Sequence, residues 1–271
     1  MKELSIILLT WNSEVFFKNC MESVLESTEG YDREIIIVDN GSTDSTRVMI
    51  ESYLPIGDIL FLLNEKNEGV SKARNLGISK SQGRYIWFLD IDTVVTKEAV
   101  AALMDYIRND QNCGICGCKL MNSFGEIQDS CRKYPSFKYK LNNVLSSLYG
   151  KSAITHKLKK RIDKQNELQF YRKQMDQAKP FEVEYLIGAC QLIRKEVFEQ
   201  VGLLDEHIFY GPEDADFCLR TNEKGWKVVY LPQVSFIHEY QQMTNKRLFS
   251  RMSLVHTQAL FYFFKKHNRF I

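Results

Sequence analysis

Two short groups of acids in this chain have the residue types and the spacing to do chemistry. Asp90 and Asp92 stand one residue apart, directly after the apolar run Tyr85-Ile86-Trp87-Phe88-Leu89. Such a run behind Gly83-Arg84 predicts a buried strand. Strand side chains alternate faces, so the two carboxylates would point the same way, with Cα atoms roughly 6.5 Å apart. One could take a divalent cation while the other takes a ribose hydroxyl or a metal-bound water, because hard cations prefer oxygen ligands and share them with phosphates. Two solvated acids at a strand end are the plainer account, and Asp-x-Asp alone does not exclude them. The second group, Glu213-Asp214-Ala215-Asp216, follows Gly211-Pro212. Proline and then acids suit a helix N-terminus, where negative charge is favourable. Three acids ahead of Phe217 and Leu219 are costly if all face inward. One that faced a pocket would have its pKa raised by burial and would be suited to general-base work. His238 closes the apolar pair Phe236-Ile237, and taken alone it reads as structural.

These acids need a frame, and the chain supplies one. Residues 4–9, 34–38 and 59–63 are apolar strands, like the run before Asp90. Ser13 would cap a helix with Val15, Phe16, Cys20, Val24 and Leu25 on its apolar face. A polar turn at 39–44 opens another helix near Thr43, and Asn67-Glu68-Gly69 leads into a third over 70–79. Alternating strand and helix predicts an α/β fold, a mostly parallel sheet with helices on both faces. Ligands of such sheets bind outside the carboxyl ends of the strands. Thr10, Asp39, Asn67, Asp90 and Asp92 all fall there. Asp39 could accept from a pyrimidine N–H or a ribose hydroxyl. Arg74 and Lys72, on the helix after Gly69, could offset a diphosphate or simply be solvated.

Further along, Thr96 would cap a helix to about residue 109. Cys113, Cys116 and Cys118 invite a zinc reading. No second Cys-x-x-Cys or nearby His pair completes a set, so buried cysteines acting as small hydrophobes are expected. Gly188-Ala189-Cys190 interrupts the apolar run 182–193, where small residues would let a substrate approach the backbone. Between 138 and 179, eleven Lys and Arg face only Asp163, Glu167 and Asp176, and Leu141, Val144, Leu145, Leu148 and Tyr149 recur at helical spacing. That basic face is either solvated or contacts anionic lipid or a phosphate-bearing acceptor. The tail 241–271 mixes Phe249, Phe261, Tyr262, Phe263 and Phe264 with Arg247, Arg251, Lys265, Lys266 and Arg269. It predicts one or two helices packed on the core, or lying on a membrane surface.

Composition sets the outer limits. A 271-residue chain, 44% hydrophobic and 26% charged, suits one large α/β domain or two intimate halves. Net charge is +2, which argues against a polyanion partner, and no RNA- or DNA-binding motif accompanies the basic stretch. No apolar run approaches the ~18 residues of a membrane span. The first residues enter a strand directly, so no signal peptide is expected. Seven irregularly spaced cysteines fit reduced thiols in a cytoplasm. Contact with the inner face of a membrane through 138–179 or 241–271 is the one addition to that reading.

A family pattern emerges when the motifs are taken together. Ile7-Leu8-Leu9-Thr10-Trp11-Asn12 is followed by Val38-Asp39-Asn40-Gly41-Ser42-Thr43-Asp44 and then by Asn67-Glu68-Gly69 with Ala73-Arg74-Asn75-Leu76-Gly77. Phe88-Leu89-Asp90-Ile91-Asp92-Thr93 and Gly188-Ala189-Cys190 come next, then Val201-Gly202-Leu203-Leu204-Asp205-Glu206, Glu213-Asp214-Ala215-Asp216, Arg220 and His238. The ordered set, though no single motif, resembles family 2 glycosyltransferases of the GT-A fold, and among them the bacterial rhamnosyltransferase-like branch. It runs from residue 4 to about 240, and covers 138–179 and the tail poorly. The resemblance implies a GT-A domain over 1–240, with a nucleotide-sugar half (1–95), an acceptor half (96–240) carrying the basic insertion, and a helical tail (241–271).

The resemblance also implies roles. Thr10 and Asp39 would contact the nucleoside, Asn67 and Arg74 would help hold the donor, and Asp90 would face the ribose. Asp92 would bind Mn²⁺ or Mg²⁺, with His238 completing the metal site. Asp214 would be the base with Glu213 beside it, and Gly188, Ala189 and Asp216 would lie on the acceptor side. The implied partners are a nucleotide-sugar donor, dTDP-rhamnose or a UDP-sugar, and a glycan or lipid-linked acceptor. One base without a covalent nucleophile predicts inversion. A sugar nucleotidyltransferase would need a Gly-rich basic loop after the first strand, where Thr10-Trp11-Asn12-Ser13-Glu14 stands instead. A catalytically silent sugar-nucleotide-binding domain would be favoured by loss of Asp92 or Asp214, and both are present.

Overall fold

The computed structural model describes residues 2–148, 160, 162–164, 166–239 and 251–270. Tyr149, Lys151, Lys157, Lys159 and Arg161 of the basic stretch lie outside these residues, as do the side chains of Val144, Leu145 and Leu148. So do Gln241, Arg247 and Phe249 of the tail.

In chain order the strands are β1 (Leu4–Thr10), β2 (Arg33–Asp39), β3 (Ile59–Leu63), β4 (Tyr85–Asp90), β5 (Thr93–Val94), β6 (Cys113–Met121), β7 (Cys131–Arg132), β8 (Phe181–Glu182), β9 (Tyr185–Leu186), β10 (Cys190–Arg194) and β11 (Lys227–His238). The helices are α1 (Glu14–Ser27), α2 (Thr46–Tyr53), α3 (Val70–Lys80), α4 (Lys97–Asn109), α5 (Phe137–Leu148), α6 (Arg172–Met175), α7 (Lys195–Val201), α8 (Glu213–Glu223) and α9 (Arg251–Lys266). The main sheet runs β3-β2-β1-β4-β10-β6-β11-β5, with β8 beside β11. β3, β2, β1 and β4 are parallel, β10 is inserted antiparallel between β4 and β6, and β11 is again parallel to β6. Continuous apolar strands follow from burial on both faces. Ile6 and Leu8 of β1 pack with Phe17, Ile50 and Leu103 of α1, α2 and α4, while Ile7 packs with Ala73, Val197 and Phe217 of α3, α7 and α8.

Local chemistry sets the element ends, with three departures from the sequence reading. Phe17, Cys20, Met21 and Val24 form the buried stripe of α1, an i, i+3, i+4, i+7 set that leaves Val15 on the opposite side at 75% exposure. Helix α2 starts at Thr46, because the Asp44 carboxylate accepts the Thr46 N–H (3.0 Å) and holds 43–45 as a turn. Asp92 lies in a turn after β4, not in the strand itself. Thr96 does cap α4, its hydroxyl accepting the Ala99 N–H. All seven cysteines are buried free thiols. Among the described residues no helix is long and apolar enough to cross a membrane.

The last described helix packs on the core, with Phe263 and Phe264 buried. Its C-terminal end is fixed by Asp216. That fully buried carboxylate takes Arg220 Nε (2.8 Å), Lys266 Nζ (2.6 Å) and His267 Nε2 (2.7 Å). The expectation that Asp216 faces an acceptor is therefore corrected: its side chain is turned away from the cleft and spent on an internal ionic cluster. Asp216→Ala is expected to destabilise the fold by about 1–3 kcal/mol, because it removes the buried carboxylate that ties Arg220, Lys266 and His267 together, while Lys266 keeps Asp205 (2.7 Å). Chemical denaturation followed by circular dichroism checks this, and a midpoint unchanged from wild type would remove the structural role.

Candidate active site

Asp90, Asp92 and His238 come together at the carboxyl edge of the sheet. One ligand atom from each lies within 4.8 Å of the others. The cause is strand pairing: β5 pairs antiparallel with the end of β11, opposing His238 to Thr93, and the Glu239 N–H bonds the Asp92 carbonyl (2.8 Å). His238 Nε2 then sits 3.3 Å from Asp92 Oδ1. Its other ring nitrogen, Nδ1, is 2.7 Å from Gln128 Oε1. The Gln128 Nε2 group donates to the His238 carbonyl (2.7 Å), so Oε1 must be the acceptor and Nδ1 carries the hydrogen. In the neutral ring the lone pair is thereby on Nε2, aimed at Asp92. Burial pushes the Asp92 carboxyl up, only partly offset by the hydrogen bond from His238. Burial resists charge on His238, but the Asp92 hydrogen bond and charge outweigh it and raise its pKa. Two carboxylates and an imidazole whose far nitrogen is already committed form a donor set that fits a divalent cation.

Arg74 links this edge to the second acidic group. Its side chain is buried, stacks over Phe88 at 5.0 Å, and donates to Asp90 Oδ1 (2.8 Å) and to the Gly188 carbonyl (2.9 Å). A Cβ on Gly188 would collide with the Arg74 guanidinium. The small residue there makes room for a protein side chain, which amends the reading of a substrate-approach point. The Gly188 N–H in turn donates to Asp214 Oδ2 (3.2 Å), and Asp214 Oδ1 accepts the Ala215 N–H (2.7 Å). Burial raises the Asp214 pKa, while the Ala215 amide and then Arg132 and Arg74 pull it back. Glu213, buried beside it, is pushed up to about 7 by burial and then by the Asp214 charge. Among the described residues its Oε2 has no hydrogen-bond partner.

Thr10 and Asp39 stand side by side at the ends of β1 and β2, as register partners. The structure turns them into the protein. Asp39 is fully buried, with Thr10 Oγ1 (2.9 Å), the Ser42 hydroxyl and amide, and Arg47 Nε (2.9 Å) on its oxygens. Their neighbours Trp11, Asn12 and Asn40 form the cleft wall. Asn67 lines it too, its side-chain oxygen accepting from Asn40 (3.0 Å) and from the Gly69 N–H (3.0 Å). Gly69 has φ +88°, and a side chain there would strike Phe209.

One cavity of about 740 Å³ contains both acidic groups. Asn67, Arg74, Asp90, Asp92 and His238 line it at the strand ends, and Gly188, Ala189, Glu213 and Asp214 line it as well, joined to Asp90 through Arg74. Arg132, Lys140, Tyr185 and His256 complete the wall. Sequence reasoning missed Gln128, Arg132 and His256 as site residues and placed Lys140 only in a general basic face. None stands in a motif; the signal is tertiary.

Comparison with known proteins now adds an independent line. The family described as Glycosyl transferase family 2 matches residues 5–202. The chain is 24% identical over 235 residues to the "dTDP-rhamnosyl transferase RfbF" of Shigella flexneri, covering 86% of this chain and 67% of that protein. It is 23% identical over 278 residues to the "N-acetylglucosaminyl-diphospho-decaprenol L-rhamnosyltransferase" of Mycobacterium tuberculosis, covering 98% and 85%. A solved structure of GalNAc-T7 with UDP, GalNAc and Mn²⁺ superposes with a TM-score of 0.64 at 19% identity, over 89% of this chain and 44% of that one. The chain thus spans less than half the length of that neighbour, which carries the same GT-A fold. The family match takes in every strand of the donor edge and both residues of Asp-x-Asp, and on that footing the chain belongs to glycosyl transferase family 2 and is a glycosyltransferase.

Proposed function

We propose that this chain transfers a sugar, with inversion, from a nucleoside-diphosphate sugar to a hydroxyl of a glycan or lipid-linked acceptor in surface polysaccharide synthesis. The supporting observation is that a single cleft holds a cation-type donor set, Asp90, Asp92 and His238, and a carboxylate pair of raised pKa, Glu213 and Asp214. The named relatives favour dTDP-rhamnose as donor, with a UDP-sugar as the alternative. Asp92 and His238 would hold Mn²⁺ or Mg²⁺, with Asp90 between this site and the donor ribose. When bound there, the ion supplies positive charge for the diphosphate leaving group.

The protein's own part follows from its contacts. Arg74 fixes Asp90 and, through Gly188, the position of Asp214. The nucleoside would lie along Trp11, Asn12, Asn40 and Asn67, with Thr10 and Asp39 bracing that wall from behind. Asp214 takes the proton of the acceptor hydroxyl as its oxygen bonds to the anomeric carbon and the bond from that carbon to the diphosphate oxygen breaks. Glu213, whose pKa burial raises to about 7, tunes that base through the charge it carries above that pH.

A donor panel tests the reading. The chain is titrated with dTDP-, UDP- and GDP-sugars in Mn²⁺ or Mg²⁺, and binding and slow donor hydrolysis are recorded. One metal-dependent donor is expected; silence across the panel in folded protein would overturn the proposal. Gln128 gives a finer check. Gln128→Ala frees the ring of His238 and is expected to weaken Mn²⁺ binding about 10–100-fold, the usual effect of losing the partner that orients a metal ligand. Electron paramagnetic resonance of free Mn²⁺ reads this directly. Wild-type affinity in the variant would show that Gln128 does not set the ring.

A further inference from the structure

Helices α5 and α9 pack together, and each shows more than one face. To the cleft they give Tyr139 and Lys140, and Met252, His256 and Leu260. Their contact with one another is aromatic. The Phe137 ring lies 6.3 Å from Phe261, 6.2 Å from Phe264 and 6.2 Å from Phe270. Phe264 is buried in this cluster, yet the cluster is not closed on its outer side. Phe261 is 52% exposed and Phe270 42%. Leu141, one turn on from Phe137 along the same face of α5, is 46% exposed. Leu254, two turns before Phe261 on the same line of α9, is 62% exposed.

The charge beside these apolar side chains has one sign. No Asp or Glu occurs in residues 132–162, which include α5, or in 240–271, which include α9. Lys138, next to Phe137, and Lys265, one turn after Phe261, are both exposed. Lys266 is spent elsewhere, on Asp205 (2.7 Å) and Asp216 (2.6 Å). The whole chain carries only +2, so the positive charge of these two segments is concentrated and is balanced by acids in other parts of the sequence. Exposed apolar side chains grouped beside lysines mark a surface that meets a partner. A second copy of the chain, docked face to face, would set like charges against each other. An anionic bilayer suits both features. The apolar side chains enter the boundary between headgroups and acyl chains, and the lysine stems follow them with their ammonium groups left among the headgroups.

We propose that the joined outer face of α5 and α9, with Leu141, Leu254, Phe261 and Phe270 at its centre and Lys138 and Lys265 beside them, is a peripheral docking surface for an anionic lipid bilayer. The transfer chemistry does not require such a surface. Because other faces of the same two helices line the cleft, docking there would hold the cleft at the membrane.

Vesicle co-sedimentation of the intact chain tests this with neither donor nor acceptor present, and so apart from the transfer reaction. Vesicles of phosphatidylglycerol mixed with phosphatidylcholine are compared with phosphatidylcholine alone. The mixed vesicles are expected to bind the wild type about tenfold or more tightly, and added salt should weaken that binding. Lys138→Glu combined with Lys265→Glu should weaken it about 30-fold or more, the usual contribution of two lysines at an anionic surface. Leu254→Ser combined with Phe261→Ser should weaken it about tenfold or more, through lost apolar burial. All four side chains are exposed, so both double variants are expected to keep the wild-type melting temperature and donor affinity. A wild type that ignores the mixed vesicles would overturn the proposal. So would vesicle binding that both double variants retain, since it would belong to another face. Analytical ultracentrifugation supplies the remaining arm: a wild-type dimer that Leu254→Ser with Phe261→Ser dissociates would assign the surface to a second copy and overturn the lipid reading.

Discussion

Asp214→Asn is expected to bind donor as the wild type does and to turn over acceptor about 10²–10⁴-fold more slowly, the usual contribution of a general base. The amide keeps the shape and can still accept the Gly188 and Ala215 N–H groups through its oxygen. What it loses is the capacity to take a proton. The pH profile carries the same signature. Asp214 and Glu213 both have raised pKa values, Glu213 to about 7, with burial as the first cause. A raised carboxyl pKa means the basic form is lost as pH falls, so kcat/KM should decline on the acid side of neutrality. Glu213→Gln removes the neighbouring charge and should move that decline to lower pH. Steady-state rates across a pH series, with donor binding measured in parallel, check both variants. Normal turnover by Asp214→Asn would move the base to Glu213, because Asp216 is already committed to Arg220, Lys266 and His267.

Asp92→Ala should remove cation-dependent donor binding and depress turnover by roughly 10³-fold or more, the scale of losing charge stabilisation at a phosphate leaving group. The fold should survive. The side chain contacts His238, but the link that joins this turn to β11 is the Asp92 carbonyl accepting the Glu239 N–H, which alanine retains. Calorimetric titration of nucleotide with and without Mn²⁺, together with resonance detection of bound Mn²⁺, separates the effect from misfolding. Unchanged turnover, or donor binding that never depended on the ion, would remove Asp92 from that role. Asp92→Ala and Gln128→Ala should differ in degree: the first deletes a ligand, the second only loosens the ring that supplies one.

Much of the frame was legible in the sequence because its rules are local. An apolar run between polar turns points to a strand buried in a sheet, so residues 4–9, 34–38 and 85–89 declare a parallel sheet before any contact is known, and 59–63 joins it as the edge strand with Leu60 and Leu63 exposed. The carboxyl ends of those runs are where the chain's polar punctuation falls, which put Asn67, Asp90 and Asp92 on one edge. Thr96 announced its helix because a hydroxyl at that position accepts one of the first-turn amides that have no partner within the helix. Even the error at Val15 is local in origin: both sides of α1 carry apolar residues, and only packing decides which side is the inner one.

The composition of the site was settled by contacts between residues far apart in the chain. Asp90 and Asp92 meet through a turn and not through strand alternation, and His238 reaches them because β5 pairs with β11. Gln128 fixes the His238 ring, Arg74 fills the space that Gly188 leaves, and Asp216 is drawn out of the cleft by two partners from the C-terminal end. The physical reason is the range of the forces. Periodicity, capping and turn chemistry act within a few residues and are written in sequence. A side chain's partners, and with them its protonation and its freedom to act, depend on which distant segments the sheet order brings within hydrogen-bond distance. Local patterning is enough to give this chain an acidic edge; contacts made across the fold select which of those acids remain available to a ligand.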